Sequence, residues 1–141
     1  MKIAIINGPN LNLVGVREPN IYGTTPLADY LESLRGKYPD VEFRFSQSNH
    51  EGCLIDEIQQ RGFDCEGIVL NAGALTHYSY AIADAVRTVE APVIEVHISD
   101  VNAREPFRRI SVIKDACVAV IAGFGLKSYD MAVEWFIENA T

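Results

Sequence analysis

Residues 2–10, Lys2-Ile3-Ala4-Ile5-Ile6-Asn7-Gly8-Pro9-Asn10, decide the fold class. The unbroken apolar run from Ile3 to Ile6 leaves no polar face, the pattern of a strand buried on both sides in a parallel sheet. Asn7-Gly8-Pro9 then ends it. Runs of the same kind recur at Gly67 to Leu70, Val93 to Val96 and Val118 to Ala122. A further run, Val41 to Gln47, alternates instead: Val41, Phe43 and Phe45 share one face, and Glu42 and Arg44 the other, as in an edge strand with one exposed side.

Helical patterns fill the intervals. Leu27, Tyr30, Leu31 and Leu34 form an apolar stripe after Pro26, and Leu54, Ile55 and Ile58 form another. Ala81, Ile82, Ala85, Val86 and Val89 make a third, and after Tyr129 the residues Ala132, Val133, Phe136 and Ile137 are expected to face inward. This alternation predicts an α/β fold, a doubly wound five-stranded parallel sheet with helices on both faces and right-handed crossovers. Pro and Gly stand singly at strand ends and no linker interrupts the pattern, so residues 1–141 are expected to form a single domain.

A net charge of -7 argues against nucleic acid or an anionic membrane as partner, because neutralising phosphate needs a basic face. Any anionic ligand must therefore be held by a few local arginines. Cys53, Cys65 and Cys117 are odd in number and contain no C-x-x-C pair, which reads as reduced thiols and predicts a cytoplasmic protein. No run approaches the ~20 apolar residues of a membrane span, and Met1-Lys2 leads directly into a strand.

In doubly wound sheets ligands bind beyond the carboxyl ends of the strands. Those ends here read Asn7-Gly8-Pro9-Asn10, Ser48-Asn49-His50, Asn71-Ala72-Gly73 and Glu95-Val96-His97-Ile98-Ser99, so carboxamides, imidazoles and a serine converge on one rim. That composition predicts a polar pocket for a small hydroxylated molecule. The connection after the first strand also runs on to Gly23, whereas strand-to-helix connections usually take about 2–6 residues. It is expected to be a binding loop or lid.

Tyr22 in this loop has two readings, a packed anchor or a base. A phenol with pKa about 10 is a poor base at neutral pH, and Arg17 in the same loop could supply the cation that lowers it. Glu95 and His97 share a strand face, so the carboxylate could orient the imidazole as an acid or simply satisfy a core histidine. His50, His77 and His97 invite a metal reading, but no pair has the i, i+4 spacing of a helical zinc site. His77 and Ser79, at the start of the third helix, suit recognition of ligand oxygens, and Arg104, Arg108 and Arg109 are either a solvated run or an anion clamp. No cysteine has a predicted histidine partner, and Cys117 is expected in the core.

Six segments, I-N-G-P-N-L-N-L at 6–13, R-E-P-N-I-Y-G at 17–23, Q-S-N-H-E-G at 47–52, N-A-G-A-L-T-H at 71–77, E-V-H-I-S at 95–99 and A-R-E-P-F-R at 103–108, together resemble the type II 3-dehydroquinate dehydratase family. The resemblance implies a flavodoxin-like fold and anti elimination of water from 3-dehydroquinate to 3-dehydroshikimate, without metal, cofactor or covalent imine. It assigns Tyr22 as base, Arg17 as the cation that lowers its pKa, His97 as acid, Glu95 as its orienter, and Asn10 to the enolate, through a water. It gives Asn71, His77 and Arg108 to the substrate hydroxyls and Ile98 and Ser99 to its carboxylate. Asp84 would enter a neighbouring subunit's site in a homo-oligomer, a dodecamer of four trimers. Asp100, Asn102, Cys53 and Glu57 depart from the family pattern, and the added carboxylate at Asp100 is expected to weaken substrate affinity or alter the trimer contact.

The role implied is either biosynthetic, in the shikimate pathway, or catabolic, in quinate use. A receiver-like module or flavin carrier on the same fold is the rival. A receiver needs acidic residues where this chain has Asn7 and Asn71, and a flavin carrier needs a Ser/Thr-rich phosphate loop.

Overall fold

The computed structural model describes residues 1–16 and 24–140. The apolar runs form β1 (Lys2–Asn7), β2 (Glu42–Gln47), β3 (Gly67–Asn71), β4 (Val93–His97) and β5 (Ala119–Ala122). Between and after them lie α1 (Leu27–Lys37), α2 (Glu51–Asp64), α3 (Tyr80–Thr88) and α4 (Lys127–Asn139). All pairings are parallel, in the order β2-β1-β3-β4-β5. That is the strand order of flavodoxin-like sheets.

Because side chains alternate along a strand, each central strand feeds two cores. Ile3, Ile5, Val69, Ile94 and Val96 pack under Leu31 and Leu34 of α1 and Val133 and Phe136 of α4. Ala4, Ile6, Ile68, Leu70 and Val93 pack on the other face under Leu54 and Ile58 of α2 and Ile82 and Val86 of α3. Burying each Ile, Leu or Val contributes roughly 1.5–3 kcal/mol, so these layers hold the sheet and leave its rim free for polar groups.

Three expectations need correction. β5 is an edge strand rather than a strand buried on both faces: among the described residues no further strand pairs with it, and while Ala119 and Ile121 pack toward α4, Val118 and Val120 are 51% and 47% exposed. Ile137 is exposed, and the inward stripe of α4 is instead Tyr129, Ala132, Val133 and Phe136. In α3, Ala83 is buried and Ala81 faces outward.

Register carries the fold into the site. Asn7 is level with Asn71 across β1 and β3, and Glu95 is level with Leu70 across β3 and β4. The polar strand ends therefore finish on one rim.

Candidate active site

The first turn after β1 is shaped by close backbone contacts. Gly8 donates its N–H to the carbonyl of Asn71 at 2.7 Å, and Asn10 follows in the left-handed region at φ 69°. Asparagine tolerates that conformation better than most residues. The Asn10 N–H donates to Asn49 Oδ1 at 2.9 Å, and Gln47 Nε2 donates to the Gly8 carbonyl at 3.2 Å and to Asn49 Oδ1 at 3.1 Å. The Gln47-Ser48-Asn49 segment thus clamps the turn that presents Asn10.

A pocket opens beyond β1, β3 and β4, lined by Asn10, Asn71, His77, His97, Ile98 and Ser99 together with Arg104 and Arg108. None of the described residues lining it is Asp or Glu. In a chain of net charge -7, this local excess of arginine suits an anionic ligand. Arg104 Nη1 donates to Ser99 Oγ at 3.5 Å. Arg108 lies over the Phe107 ring, 4.8 Å from its centroid, and its Nε donates to Glu105 Oε2 at 2.8 Å.

His97 and Glu95 form the most enclosed polar pair. Glu95 is fully buried and His97 is 7% exposed, with His97 Nε2 2.5 Å from Glu95 Oε2. Thr76 Oγ1 donates to the same oxygen at 2.8 Å, and Ser111 Oγ donates to Oε1 at 2.8 Å. Burial opposes ionisation of Glu95, but the bonds from His97, Ser111 and Thr76 outweigh it and hold the carboxyl below the usual range. An ionised carboxylate only accepts, so Nε2 carries a proton and Nδ1 is the nitrogen left to exchange one with a ligand.

His77 is oriented by a different bond. Its Nδ1 lies 2.6 Å from the Ile110 carbonyl, which can only accept, so Nδ1 donates and the neutral ring offers Nε2 as an acceptor. Asn71 is 2% exposed, its Oδ1 accepting from the Gly73 N–H at 3.2 Å and its Nδ2 donating to Tyr129 Oη at 3.0 Å.

Other candidates fall elsewhere. Ser79 is the N-cap of α3, accepting from the Ile82 N–H at 3.1 Å and donating to Glu51 Oε2 at 2.5 Å, so helix capping and a tie to α2 occupy the hydroxyl expected to meet ligand. His50 and Arg109 do not line the pocket. Asp84 points outward from α3, its side chain 80% exposed and 3.8 Å from Arg87 Nη1. Arg17 and Tyr22 lie outside the described residues. Among the described residues no three His, Cys, Asp or Glu side chains are grouped to hold a metal ion.

The departures from the family pattern have local partners. Asp100 Oδ1 accepts from the Asn102 N–H at 3.0 Å, capping a short turn, and Glu57 Oε1 accepts from Arg61 Nε at 2.9 Å on α2. Cys53 and Asn102 are exposed. Cys117 is only partly buried, at the margin of the core, and burial pushes its thiol up to about 12. Thr76, Ser111 and Tyr129 escaped the sequence reading as polar partners of the site. Thr76 and Ser111 acquire that role only when separate segments meet at Glu95, and Tyr129 reads as an aromatic starting an apolar helix.

A doubly wound sheet with a cationic pocket at its carboxyl rim, and a histidine–carboxylate pair inside it, defines an α/β enzyme acting on a small molecule. The family model described as class II dehydroquinase matches residues 1–137. A 3-dehydroquinate dehydratase of Exiguobacterium is 53% identical over 140 residues, covering 99% of this chain and 96% of that protein. The crystal structure of type II dehydroquinase from Butyrivibrio crossotus superposes with TM-score 0.94 at 50% identity, covering 97% of both chains. That from Propionibacterium acnes gives TM-score 0.93 at 41% identity, covering 98% of this chain and 97% of its own. The chain belongs to the class II dehydroquinase family.

Proposed function

We propose that this protein eliminates water from 3-dehydroquinate to give 3-dehydroshikimate, the dehydratase step of the shikimate pathway. The observation that carries this reading is the buried Glu95–His97 pair beside Asn10, Asn71 and two arginines, in a chain of this family.

The chemistry asks for one base and one acid. Tyr22, as phenolate, removes the proton alpha to the ketone, and the electron pair moves onto the carbonyl oxygen as an enolate. Arg17 keeps the phenolate accessible by lowering its pKa. Asn10 stabilises the enolate, which needs donors aimed at the developing charge, through a water. Collapse of the enolate expels the beta hydroxyl, and His97 gives it a proton from Nδ1, so that water leaves and the Nε2–H tautomer bonded to Glu95 remains. Tyr22 has gained a proton and His97 has lost one, and exchange with solvent resets both. Asn71, His77 and Arg108 hold the hydroxyls, and Ile98 and Ser99 the carboxylate.

Residues 1–141 act as a single catalytic domain, supported by one sheet whose two cores draw on helices from the whole chain. The active form is a homo-oligomer, a dodecamer of four trimers, in which Asp84 reaches a neighbour's pocket. Its exposure on α3, away from the pocket of its own chain, supports that role. Free Cys53, Cys65 and Cys117 support a reducing, cytoplasmic location.

The test is growth of conjugated-enone absorbance when protein treated with a chelator meets 3-dehydroquinate. Absence of signal at micromolar enzyme overturns the assignment. Borohydride added with substrate should leave no adduct, whereas a trapped lysine imine points to different chemistry. Tyr22→Phe should lose turnover and keep ligand binding.

A further inference from the structure

Tyr129 stands on α4, outside the pocket, yet its hydroxyl joins the ends of two central strands. It is fully buried, accepts from Asn71 Nδ2 at 3.0 Å and donates to Asn7 Oδ1 at 2.6 Å. We propose that Tyr129 is a positioning residue for substrate recognition: its hydroxyl fixes the sense of the Asn71 carboxamide, so that Asn71 presents an N–H to the ligand. The inference rests on the dehydratase reading and on Asn71 meeting a substrate hydroxyl.

The sense of each bond follows from its neighbour. The Gly73 N–H can only donate, so the Asn71 atom 3.2 Å from it is Oδ1. Nδ2 then faces Tyr129, whose oxygen accepts and whose own proton goes to Asn7. One Nδ2 proton is used in this way and the other remains for the pocket that Asn71 lines. Burial pushes the Tyr129 phenol above its ordinary value, so it stays protonated and the sense holds across the working pH range. His77 complements it, because its Nδ1 is committed to Ile110 and its Nε2 is an acceptor. A donor from Asn71 and an acceptor from His77 together satisfy a hydroxyl, which both accepts and donates. A site built this way rejects analogues lacking the group, since its own polar atoms are then left unpaired.

Tyr129→Phe keeps the ring and its packing but removes the acceptor for Nδ2, leaving the carboxamide held, among the described residues, by Gly73. KM for 3-dehydroquinate should rise roughly tenfold while kcat stays within about threefold, as expected for loss of binding shared by ground and transition states. The deciding measurement repeats the substitution in an Asn71→Ala background. If Tyr129 acts through Asn71, the KM effect disappears there; an unchanged KM in the first variant, or an equal effect in both backgrounds, overturns the proposal. Should Tyr129→Phe fail to fold, Asn7→Ala serves, because it removes the acceptor that aims the Tyr129 proton away from Asn71 Nδ2 and so loosens the hydroxyl to which Nδ2 donates. It should raise KM in the same direction, again not with Asn71→Ala, and a normal KM, or an equal rise in both backgrounds, overturns the proposal. Inactivity of the unmutated protein would instead refute the dehydratase reading.

Discussion

Glu95 and His97, two residues apart on β4, meet at 2.5 Å through Oε2 and Nε2, the carboxylate fully buried and the imidazole at the pocket wall. Thr76 and Ser111 supply further donors to the carboxylate, and among the described residues His97 is held through Nε2. His97→Ala should therefore lower kcat by about 10²–10⁴, the usual contribution of a positioned acid, while binding of the product 3-dehydroshikimate persists. Normal turnover by this variant, in the enone assay, would show that another group protonates the leaving hydroxyl.

The same pair predicts an acid-dependent stability. The folded Glu95 carboxyl is held below its ordinary range by His97, Ser111 and Thr76 against the opposing effect of burial. Its contribution is therefore complete above the unfolded pKa of about 4.3 and is lost as pH falls through the lowered folded value. Denaturant unfolding of the unmutated protein and Glu95→Gln should show a stability gap that narrows on acidification below about pH 4. A gap that widens on acidification would contradict the sign of the shift.

Gly8 joins fold to site. A Cβ there would lie 2.6 Å from the Ala72 carbonyl oxygen and 2.7 Å from its carbon, and a backbone pinned by the Gly8 N–H to Asn71 bond cannot yield cheaply. Gly8→Ala should cost about 1–3 kcal/mol in unfolding and raise KM, because separating the ends of β1 and β3 displaces both Asn10 and Asn71. An unchanged unfolding midpoint would mean that the turn moves freely.

The sheet was legible in the sequence because a buried parallel strand must be apolar on both faces, and Ile3–Ile6, Gly67–Leu70 and Val93–Val96 satisfy that without ambiguity. β5 is the exception because Val118 and Val120 are apolar although exposed, and apolarity alone does not reveal which face of a strand the rest of the fold covers. The Glu95–His97 pair followed from strand periodicity, and the convergence of Asn10, Asn71, His77, Ile98, Ser99 and Arg108 from the rim rule together with the family motifs. What stayed hidden depends on contacts between distant segments. Thr76, Ser111 and Tyr129 carry ordinary side chains whose roles arise when a turn, a loop and a helix meet the strand ends. Ser79 was misjudged because capping used its hydroxyl first.

Asp84 offers a test of whether a neighbouring chain completes the pocket. It faces away from its own pocket, so a role in catalysis requires a neighbour. Asp84→Ala and His97→Ala should each be impaired, the first in KM and the second in kcat. A site in a co-assembled oligomer that takes its pocket from the Asp84→Ala chain and its aspartate from a His97→Ala neighbour contains both groups. With random mixing at equal amounts, about a quarter of the sites have that composition if each pocket receives one neighbour's aspartate across a head-to-tail interface. Enone formation at substrate below the wild-type KM should therefore rise on co-expression above the mean of the two separate variants. Activity equal to that mean would show that Asp84 gives no help to a neighbouring pocket, whatever the number of chains in the assembly.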